Sequence, residues 1–525
     1  MKFRRSIGFL PLLFATLCAP ALAGIRLPHV LSDHAVLQRD APIHVWGWSD
    51  PGETITAHFH DQTRMAQANE YGEWSLWLLP EKAGGPYELT LQGNASASPT
   101  TPASAAESPA TALAAATTTA ADAITLSDLL VGDVWFASGQ SNMEMPLSGF
   151  PNSAVLKNAD QEIAGANQPQ IRLLRVEHAT SDVPRADISA TWTLCTPETA
   201  AQFSAVAYLF GREITNREHV PVGLIDSTWG GTPVESWISL DGLGADASLM
   251  PAFAVRARYA DEQSRVPAML LEEQREDAAA KAAGQPVPKH PWHPSEASWA
   301  PAYLFNGMIA PETPYSIKGV IWYQGETNSA PERAPQYVRL FPAMIADWRQ
   351  KWAQGNFPFL FVQISSFNSP GENWGIIRDA QRRALSLTNT GMAVSLDVGM
   401  FDNVHPPDKQ TVAARLALAA RKMVYSEPIE YSGPLFRQAT TEGTGFRVWF
   451  DHGSGLTAKG GGLRGFEVAG EDRHYVAATA IIDGSSVVVT SPIKDAVYVR
   501  YAWAGFSDAN LYNQAGLPAS TFTSE

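Results

Sequence analysis

The chain has 525 residues, of which 45% are hydrophobic and 17% are charged. A chain of this length holds roughly three domains of about 150 residues each, and its composition is that of an ordinary globular protein. Its 38 basic and 53 acidic residues give a net charge of −15, which argues against nucleic acid or an anionic membrane as a partner.

Residues 1–23 have the pattern of a secretory signal peptide. Basic residues near the start precede the apolar stretch IGFLPLLFATLC, and Ala21-Leu22-Ala23 resembles a cleavage site. The apolar stretch is too short to span a bilayer, and no later run is long enough either. Cys18 raises the alternative of a lipoprotein anchor, but the bulky Leu17 before it argues against lipidation. We expect cleavage after Ala23 and a soluble protein that is periplasmic or secreted.

Residues 24–93 predict a small antiparallel β module. Alternating runs such as IHVWGW and EYGEWSLWLL are separated by turn dipeptides, among them Pro51-Gly52 and Gly84-Gly85. Residues 94–123 are nearly all Ala, Ser, Thr and Pro. Because this composition cannot bury a core, it predicts a flexible, disordered excursion.

Residues 124–425 alternate between short apolar runs and helical patterns. The apolar runs predict five buried strands: Val134–Ala137, Val222–Ile225, Gly319–Tyr323, Phe359–Ile364 and Met392–Leu396. Apolar residues in PERAPQYVRLFPAMIADWRQKW recur with a period of about 3.6, and TVAARLALAARKMV predicts another helix. This alternation is typical of a parallel sheet with helices on both faces, in which ligands bind at the carboxyl ends of the strands.

Two further segments complete the chain. An insertion at about 240–299 begins with an Ala-, Glu- and Arg-rich helical pattern and ends in the proline-rich loop PVPKHPWHP. Residues 426–525 return to β character, in segments such as GFRVWF and AVYVRYAW. The small N-terminal module either shares a sandwich with this C-terminal region or packs separately, and the sequence leaves both arrangements open.

Small polar and glycine-rich segments follow four of the five predicted strands. They are GQSNM at 139–143, DSTWGGT at 226–232, QGETN at 324–328 and DNVHP at 402–406. A serine hydroxyl becomes a good nucleophile when a histidine takes its proton and a carboxylate orients the histidine ring. Asp402 and His405, three residues apart, suit these roles for Ser141. We therefore predict a Ser141–His405–Asp402 catalytic set.

The oxyanion of ester hydrolysis needs hydrogen-bond donors that are already fixed in place. The backbone N–H groups of Ser141 and Gly230 and the side-chain amide of Gln324 are the predicted donors. Each segment alone has an ordinary interpretation, since Ser141 and Asp402 could be helix caps and the glycine pair a turn. Because all of these segments are predicted at one edge of the sheet, the catalytic interpretation is favoured over the ordinary ones. Position 143 is Met, so the segment is not a G-x-S-x-G nucleophile elbow.

No metal or cofactor is predicted. His58 and His60 lie on one strand face of the β module, but no acidic or cysteine partner follows them at ligand spacing. His290 and His293 in the proline-rich loop are similarly unsupported.

Four motifs resemble those of a known family. The segments GQSNMEMPL, STWGGTPVESW, IWYQGETN and VHPPDKQTVAARLALAA resemble motif blocks of the sialate O-acetylesterase family, which belongs to the SGNH hydrolases. The segments LPHVLSDHAVLQRDAPIHVWGWSDPGE and VRYAWAGFSDANLYNQAGLPASTF resemble its flanking β regions. The resemblance implies an α/β fold with an SGNH-type, flavodoxin-like parallel sheet, helices on both faces, and β-sandwich-like N- and C-terminal regions.

The resemblance also implies a serine esterase that removes O-acetyl groups from carbohydrate through an acetyl-serine intermediate. Ser141, Gly230 and Gln324 match the oxyanion positions of the family. Asp402 matches the SGNH carboxylate, and Asp397 at a strand end is the alternative. Glu326 is expected to have a structural role, in which it holds the loop that carries Gln324.

The sequence says less about the substrate class than about the catalytic residues. Trp229, Trp237 and Trp374 lie in or near the strand-end loops and are candidates for stacking on sugars, with core packing as the alternative. Arg378 lies close by, but no arginine cluster marks a site for the carboxylate of a sialic acid. We expect an acetylated plant or bacterial polysaccharide or oligosaccharide as substrate. The alternatives are 9-O-acetyl sialic acid and, outside enzymes, a glycan-binding protein without activity, which the complete catalytic set opposes.

Overall fold

The structure is a computed structural model, and it describes residues 24–94, 123–150, 155–290, 293 and 297–525. The predicted signal peptide at 1–23 lies outside the described residues, as does the predicted excursion apart from its first and last residues. Within the described ranges, no helix combines the length and the apolar character that crossing a membrane requires.

The N-terminal region consists of short strands that meet one long strand. The short ones are β1 (Val36–Gln38), β2 (Ile43–Trp48), β3 (Thr54–Phe59), β4 (Gln62–Gln67), β5 (Glu73–Leu78) and β6 (Gly84–Asn94). β2 and β5 form an antiparallel ribbon, and β3 pairs with β4 and β6. The long strand β7 (Ala123–Gly139) pairs with β6 through its first half and with the central sheet through its second half. It therefore joins the N-terminal region directly to the sheet that carries the site.

The central sheet is built around β7. Its other strands are β8 (Gln168–Arg175), β9 (Trp192–Cys195), β10 (Val222–Thr228), β11 (Gly319–Tyr323), β12 (Phe359–Gln363) and β13 (Thr390–Val394). The order is β13-β12-β11-β7-β10-β8-β9, and every neighbouring pair is parallel except β8 and β9. The five predicted strands and their parallel arrangement are confirmed, whereas β8 and β9 were not predicted.

Helices cover both faces of the central sheet, as predicted. The α-helices of the described residues are α1 (Ser141–Glu144), α2 (Ala159–Ala164), α3 (Pro197–Ala201), α4 (Ala205–Glu218), α5 (Leu240–Gly244), α6 (Pro251–Ala282), α7 (Ala334–Trp352), α8 (Trp374–Arg383) and α9 (Lys409–Met423). Trp135 and Phe136 are adjacent in β7 and therefore point to opposite faces. Trp135 meets Phe210 of α4 edge-on at 4.9 Å, and Phe136 meets Trp348 of α7 at 5.8 Å.

The insertion at 240–299 contains the long helix α6, in agreement with its helical sequence pattern. Two histidines attach the proline-rich end to this helix. His290 Nε2 lies 2.9 Å from Asp277 Oδ1, and His293 Nε2 lies 2.9 Å from Glu273 Oε1. These contacts fold the loop back on α6.

The C-terminal region forms two four-stranded antiparallel sheets and a two-stranded one. The strands are β14 (Leu435–Glu442), β15 (Gly445–Asp451), β16 (Thr457–Ala458), β17 (Phe466–Ala469), β18 (Val476–Ala477), β19 (Thr479–Asp483), β20 (Ser486–Thr490), β21 (Tyr498–Tyr501), β22 (Leu511–Tyr512) and β23 (Phe522–Thr523). Their orders are β14-β15-β20-β19, β18-β17-β21-β23 and β16-β22. In the described residues, no strand pairing joins them to β1–β6.

Arg378 in α8 ties the central domain to the C-terminal region. Its side chain is fully buried, and its guanidinium donates to backbone carbonyls of Ile364, Ser365, Ala504 and Gly505 at 2.6–3.1 Å. Burial lowers its pKa to about 9. Because its nitrogens are committed to the backbone, Arg378 has a structural role.

Candidate active site

The predicted serine and histidine come together at the carboxyl edge of the sheet. Ser141 Oγ lies 2.8 Å from His405 Nε2, and both side chains are half-buried. Ser141 is the first residue of α1, whose N-cap is Gln140 and has no side-chain cap hydrogen bond. The helix-cap interpretation of Ser141 is therefore excluded. Its hydroxyl faces a base that can take its proton.

Gly139 allows the strand to end where the serine turn begins. Its φ is +135°, and a Cβ at this position would lie 2.2 Å from the carbonyl oxygen of Tyr323 on the neighbouring strand β11. Any larger residue would push the turn away from β11. Gly139 thus fixes the position at which Ser141 leaves the sheet.

The side-chain amide of Asn142 links the serine turn to the other loops. Its Nδ2 donates to Glu326 Oε1 at 2.6 Å and to the carbonyl oxygen of Val404 at 3.0 Å. Its Oδ1 accepts a hydrogen bond from Lys409 Nζ at 2.5 Å. Val404 directly precedes His405. One buried amide therefore holds the nucleophile's turn against the segment that carries the histidine.

Gln140 makes a second link on the other side of Ser141. Its Oε1 accepts hydrogen bonds from the backbone N–H groups of Gly325 and Thr327, at 3.3 and 3.2 Å. No chemical role for Gln140 or Asn142 was predicted from the sequence. The only signal was their position on either side of the serine.

Burial and nearby charges favour a neutral histidine. Burial, the largest cause, and the positive charge of Lys409 together lower the pKa of His405 to about 4, while the negative charge of Glu144 opposes this shift. Lys409 is fully buried, which lowers its own pKa to about 7. Burial also raises the pKa of Glu326. An unprotonated His405 is the form that acts as a base.

The predicted oxyanion donor Gly230 contacts a carboxylate that the sequence analysis had overlooked. Gly230 N–H donates to Glu144 Oε2 at 2.7 Å, and Glu144 Oε1 lies 3.0 Å from His178 Nε2. The His178 ring stacks on Trp229 at 4.2 Å. Glu144 is three residues after Ser141 in α1, so both side chains lie on the same face of this helical turn and the carboxylate is close to the serine.

The end of the insertion also supports the Gly230 loop. The indole Nε1 of Trp299 donates to the carbonyl oxygen of Gly231 at 2.7 Å. The insertion therefore contributes to the conformation of one oxyanion segment.

Gln324 is fully buried, and its amide is used within the protein. Its Nε2 donates to the carbonyl oxygen of Thr232 at 3.1 Å and to Asn328 Oδ1 at 2.7 Å, and its Oε1 accepts from the Tyr337 hydroxyl at 3.1 Å. These bonds connect the second and third strand-end loops. In this arrangement Gln324 positions the loops, and neither amide hydrogen is directed to Ser141. Glu326, expected to hold the loop of Gln324, accepts a hydrogen bond from Asn142 at 2.6 Å, which ties this loop to the serine turn.

The structure does not bring either candidate carboxylate to His405. Asp402 is exposed, and no described carboxylate forms a hydrogen bond or ion pair with the His405 ring. The loop is held differently, because the His405 backbone N–H donates to Asn403 Oδ1 at 2.8 Å. Asp397 binds Arg415 at 2.6 and 2.8 Å. The triad role of Asp402 stays a prediction.

The three candidate sugar-stacking tryptophans differ in exposure. Trp237 and Trp374 are 0% and 2% exposed, so neither ring offers a face to a sugar. Their indole N–H groups donate to Thr232 Oγ1 and Glu372 Oε2, as expected for packing residues. Trp229 is half-buried and remains at the site, with one face covered by His178.

One possible metal-ligand group occurs in the described residues, away from the serine. His60, Asp61 and Glu81 bring their ligand atoms together, although the sequence showed no partner for His60 at ligand spacing. His60 and Asp61 are exposed. Exposed acidic groups of this kind are common without an ion.

Comparisons with known proteins agree on one class of enzyme. Residues 292–422 match the family model for a carbohydrate esterase, sialic acid-specific acetylesterase. A sialate O-acetylesterase of Rattus norvegicus is 30% identical over 82% of this chain and 80% of its own length. The sialate O-acetylesterase of Homo sapiens is 31% identical over 78% of this chain and 73% of its own.

A solved structure resembles nearly the whole chain. The crystal structure of a carbohydrate acetylesterase from Xanthomonas citri superimposes with a TM-score of 0.78 and 34% sequence identity. The superposition covers 95% of this chain and 99% of that protein. The similarity therefore includes the flanking β regions as well as the central sheet.

Replacing Asn142 by alanine should lower kcat for ester hydrolysis by about 100-fold, because the serine turn loses its link to the histidine segment. KM should change much less, since Asn142 is buried behind the serine. The measurement is steady-state kinetics, with the exposed Asn167→Ala as control. Wild-type kcat in Asn142→Ala would contradict this role.

Proposed function

The chain belongs to the sialate O-acetylesterase family, and from this premise we propose that it removes O-acetyl groups from neutral carbohydrate through an acetyl-serine intermediate. Members of this family are carbohydrate or sialate O-acetylesterases, so the chain is a carboxylic ester hydrolase. The observation that carries the proposal is the 2.8 Å contact between Ser141 Oγ and His405 Nε2.

The proposed reaction has two halves. His405 takes the proton of Ser141 as the oxygen attacks the acetyl carbonyl carbon, and the resulting imidazolium gives that proton to the departing sugar oxygen. The freed sugar hydroxyl leaves behind an acetyl group on Ser141. A water molecule, deprotonated by His405, then attacks this ester, and acetate departs as the proton returns to Ser141.

The oxyanion that forms in each half needs donors. The N–H groups of Ser141 and Gly230 are the proposed ones, while Gln324 acts on the position of the Gly230 loop. In the resting site Gly230 N–H donates to Glu144. For catalysis the Gly230 N–H must change its acceptor from the Glu144 carboxylate to the oxyanion, so we propose that Glu144 shifts toward His178 when substrate binds.

Two features support a neutral sugar as substrate. Arg378, the arginine that the sequence places near the strand-end loops, is buried, and its guanidinium donates to backbone carbonyls. It therefore cannot pair with the carboxylate of a sialic acid. Glu144 places a negative charge beside Ser141, which repels an anionic substrate. An acetylated plant or bacterial polysaccharide or oligosaccharide fits both features.

The alternative substrate is 9-O-acetyl sialic acid, which the names of the mammalian relatives favour. The export signal predicted at 1–23 places either reaction in the periplasm or outside the cell. A polysaccharide substrate is compatible with that location.

Ser141→Ala and His405→Ala should each lower kcat for acetate release by at least about 1000-fold, because the nucleophile or its base is lost. Acetate is measured with p-nitrophenyl acetate, acetylated xylan, xyloglucan, pectin and 9-O-acetyl sialic acid. Neutral polymers should be the best substrates. Equal acetate release by wild type and Ser141→Ala would refute the mechanism, and a preference for the sialate would refute the substrate class.

The same assay separates the carboxylate candidates. Asp402→Asn should change kcat little if the resting geometry persists, since an exposed carboxylate without contact to the ring stabilises it weakly. A loss close to that of His405→Ala would instead support the predicted triad. Asp397→Asn serves as the comparison.

The pH profile of kcat/KM should show an acid limb near pH 4, because His405 acts as a base only when unprotonated. Removing the negative charge of Glu144, which raises this pKa, should move the limb to lower pH in Glu144→Gln. The exposed Glu88→Gln is the matched control. An acid limb that stays in place or moves to higher pH would show that Glu144 does not act on His405.

A further inference from the structure

The β2–β5 ribbon carries aromatic rings on one face. Its register places His44 opposite Trp77 and Trp46 opposite Ser75. Alternate residues of a strand share a face, so Trp77, His44 and Trp46 lie on the same side of the ribbon. Residues on the other side, such as Val45, are buried in the core. Of the rings on the aromatic side, Trp46 is 9% exposed and belongs to the core, whereas Trp77 is 51% exposed, so this side opens to solvent at Trp77.

The three rings form a parallel stack. His44 lies between the two tryptophans, 4.2 Å from Trp77 at an interplanar angle of 13° and 4.8 Å from Trp46 at 18°. Hydrogen bonds hold the middle ring, since His44 Nδ1 lies 3.1 Å from the Pro314 carbonyl oxygen and Nε2 lies 2.8 Å from Ser75 Oγ. Burial lowers the pKa of His44, which keeps the ring neutral.

Trp77 ends the stack with an open face. It is 51% exposed, although His44 covers one side of its indole. An aromatic ring that is already fixed loses little conformational freedom when a ligand stacks on it. Trp77 is therefore a preorganised apolar platform at the surface.

The platform borders a cleft of about 880 Å³, here named the Trp77 cleft. Polar residues also line the cleft, namely Asp40, Ser316, Lys318, Lys351 and Gln354. A flat aromatic face surrounded by hydrogen-bonding groups is the combination that binds the apolar face and the hydroxyl groups of a sugar.

The charged side chains of the Trp77 cleft are mostly paired within the protein. Lys318 Nζ lies 3.8 Å from Asp133, and Lys351 Nζ lies 2.6 Å from Asp241. Asp40 is paired with Lys82 at 2.5 Å. Asp133 is also bound by Arg39, so this group of side chains keeps one excess positive charge. Most of its charge is neutralised within the protein, and the rim offers hydrogen-bond donors and acceptors to a neutral sugar.

The Trp77 cleft lies at the opposite edge of the central sheet from Ser141. Lys318 directly precedes β11 and Pro358 directly precedes β12, so both mark the amino ends of parallel strands. Ser141 follows the carboxyl end of β7. The cleft is therefore separate from the acetyl-binding site.

We infer that the Trp77 cleft is a second carbohydrate-binding site, which holds a neutral segment of the polysaccharide that the Ser141 site deacetylates. The class of ligand rests on the proposed function. Binding one segment of a polymer raises the effective concentration of its other acetyl groups near the enzyme. The second site thus acts on polymers and leaves the hydrolysis of small esters unchanged.

Affinity electrophoresis in gels that contain xylan, xyloglucan or pectin tests this binding, with Ser141→Ala as the parent so that catalysis is absent. The parent should be retarded by the neutral polymers. Adding Trp77→Ala should weaken the retardation about fivefold, because the stacking face is removed, whereas Trp77→Phe should keep most of it. Tyr71→Ala, which removes a 77% exposed aromatic from the same region, is the matched control and should behave as the parent.

Equal retardation of the parent and the Trp77→Ala variant would overturn the second site, as would stronger retention by the acidic pectin. A change of oligomeric state on Trp77→Ala, seen by light scattering, would assign the face to self-association instead. With Ser141 intact, Trp77→Ala should raise KM for acetylated polymer about fivefold and leave p-nitrophenyl acetate hydrolysis unchanged. Failure of the proposed function would give a different result, because the wild-type protein would then release no acetate from any acetylated glycan.

Discussion

The side-chain amide of Asn142 is the contact on which the geometry of the site depends. It lies between a buried ammonium, Lys409, and a buried carboxylate, Glu326, and it also binds the carbonyl before His405. A buried charge without a partner costs several kcal/mol. If the serine turn moved, Lys409 and Glu326 would lose their hydrogen bonds to Asn142 while still buried. The fold therefore fixes the distance between Ser141 and His405.

The same charges determine the state of the base. Lys409 disfavours the imidazolium of His405, and Glu144 at the mouth of the site favours it. The net result is a histidine that is neutral near physiological pH, with the negative charge of Glu144 opposing the lowered pKa. That carboxylate also accepts a hydrogen bond from Gly230 N–H, so one side chain contacts the proposed oxyanion donor and acts on the charge of the base.

The sequence predicted the features that have a repeating or local physical signal. Buried parallel strands are continuous apolar runs, so β10–β13 and the core half of β7 were found. The strand β8 was missed because its sequence, QPQIRLLR, begins with polar residues. The tryptophans Trp237 and Trp374 have no local signal that distinguishes a buried indole from an exposed one. Similarly, the spacing of Asp402 and His405 is compatible with contact between their side chains. Whether they meet depends on the irregular backbone path of the loop, which the spacing does not specify.

Covalent trapping with diethyl p-nitrophenyl phosphate tests the central claim most directly, because this reagent phosphorylates a serine that a neighbouring base activates. The account predicts one diethylphosphoryl group per chain, mapped to Ser141 by mass spectrometry, with activity lost in proportion to labelling. His405→Ala should be labelled far more slowly. Full activity after labelling of Ser141, or inactivation without label on Ser141, would contradict the assignment of the nucleophile.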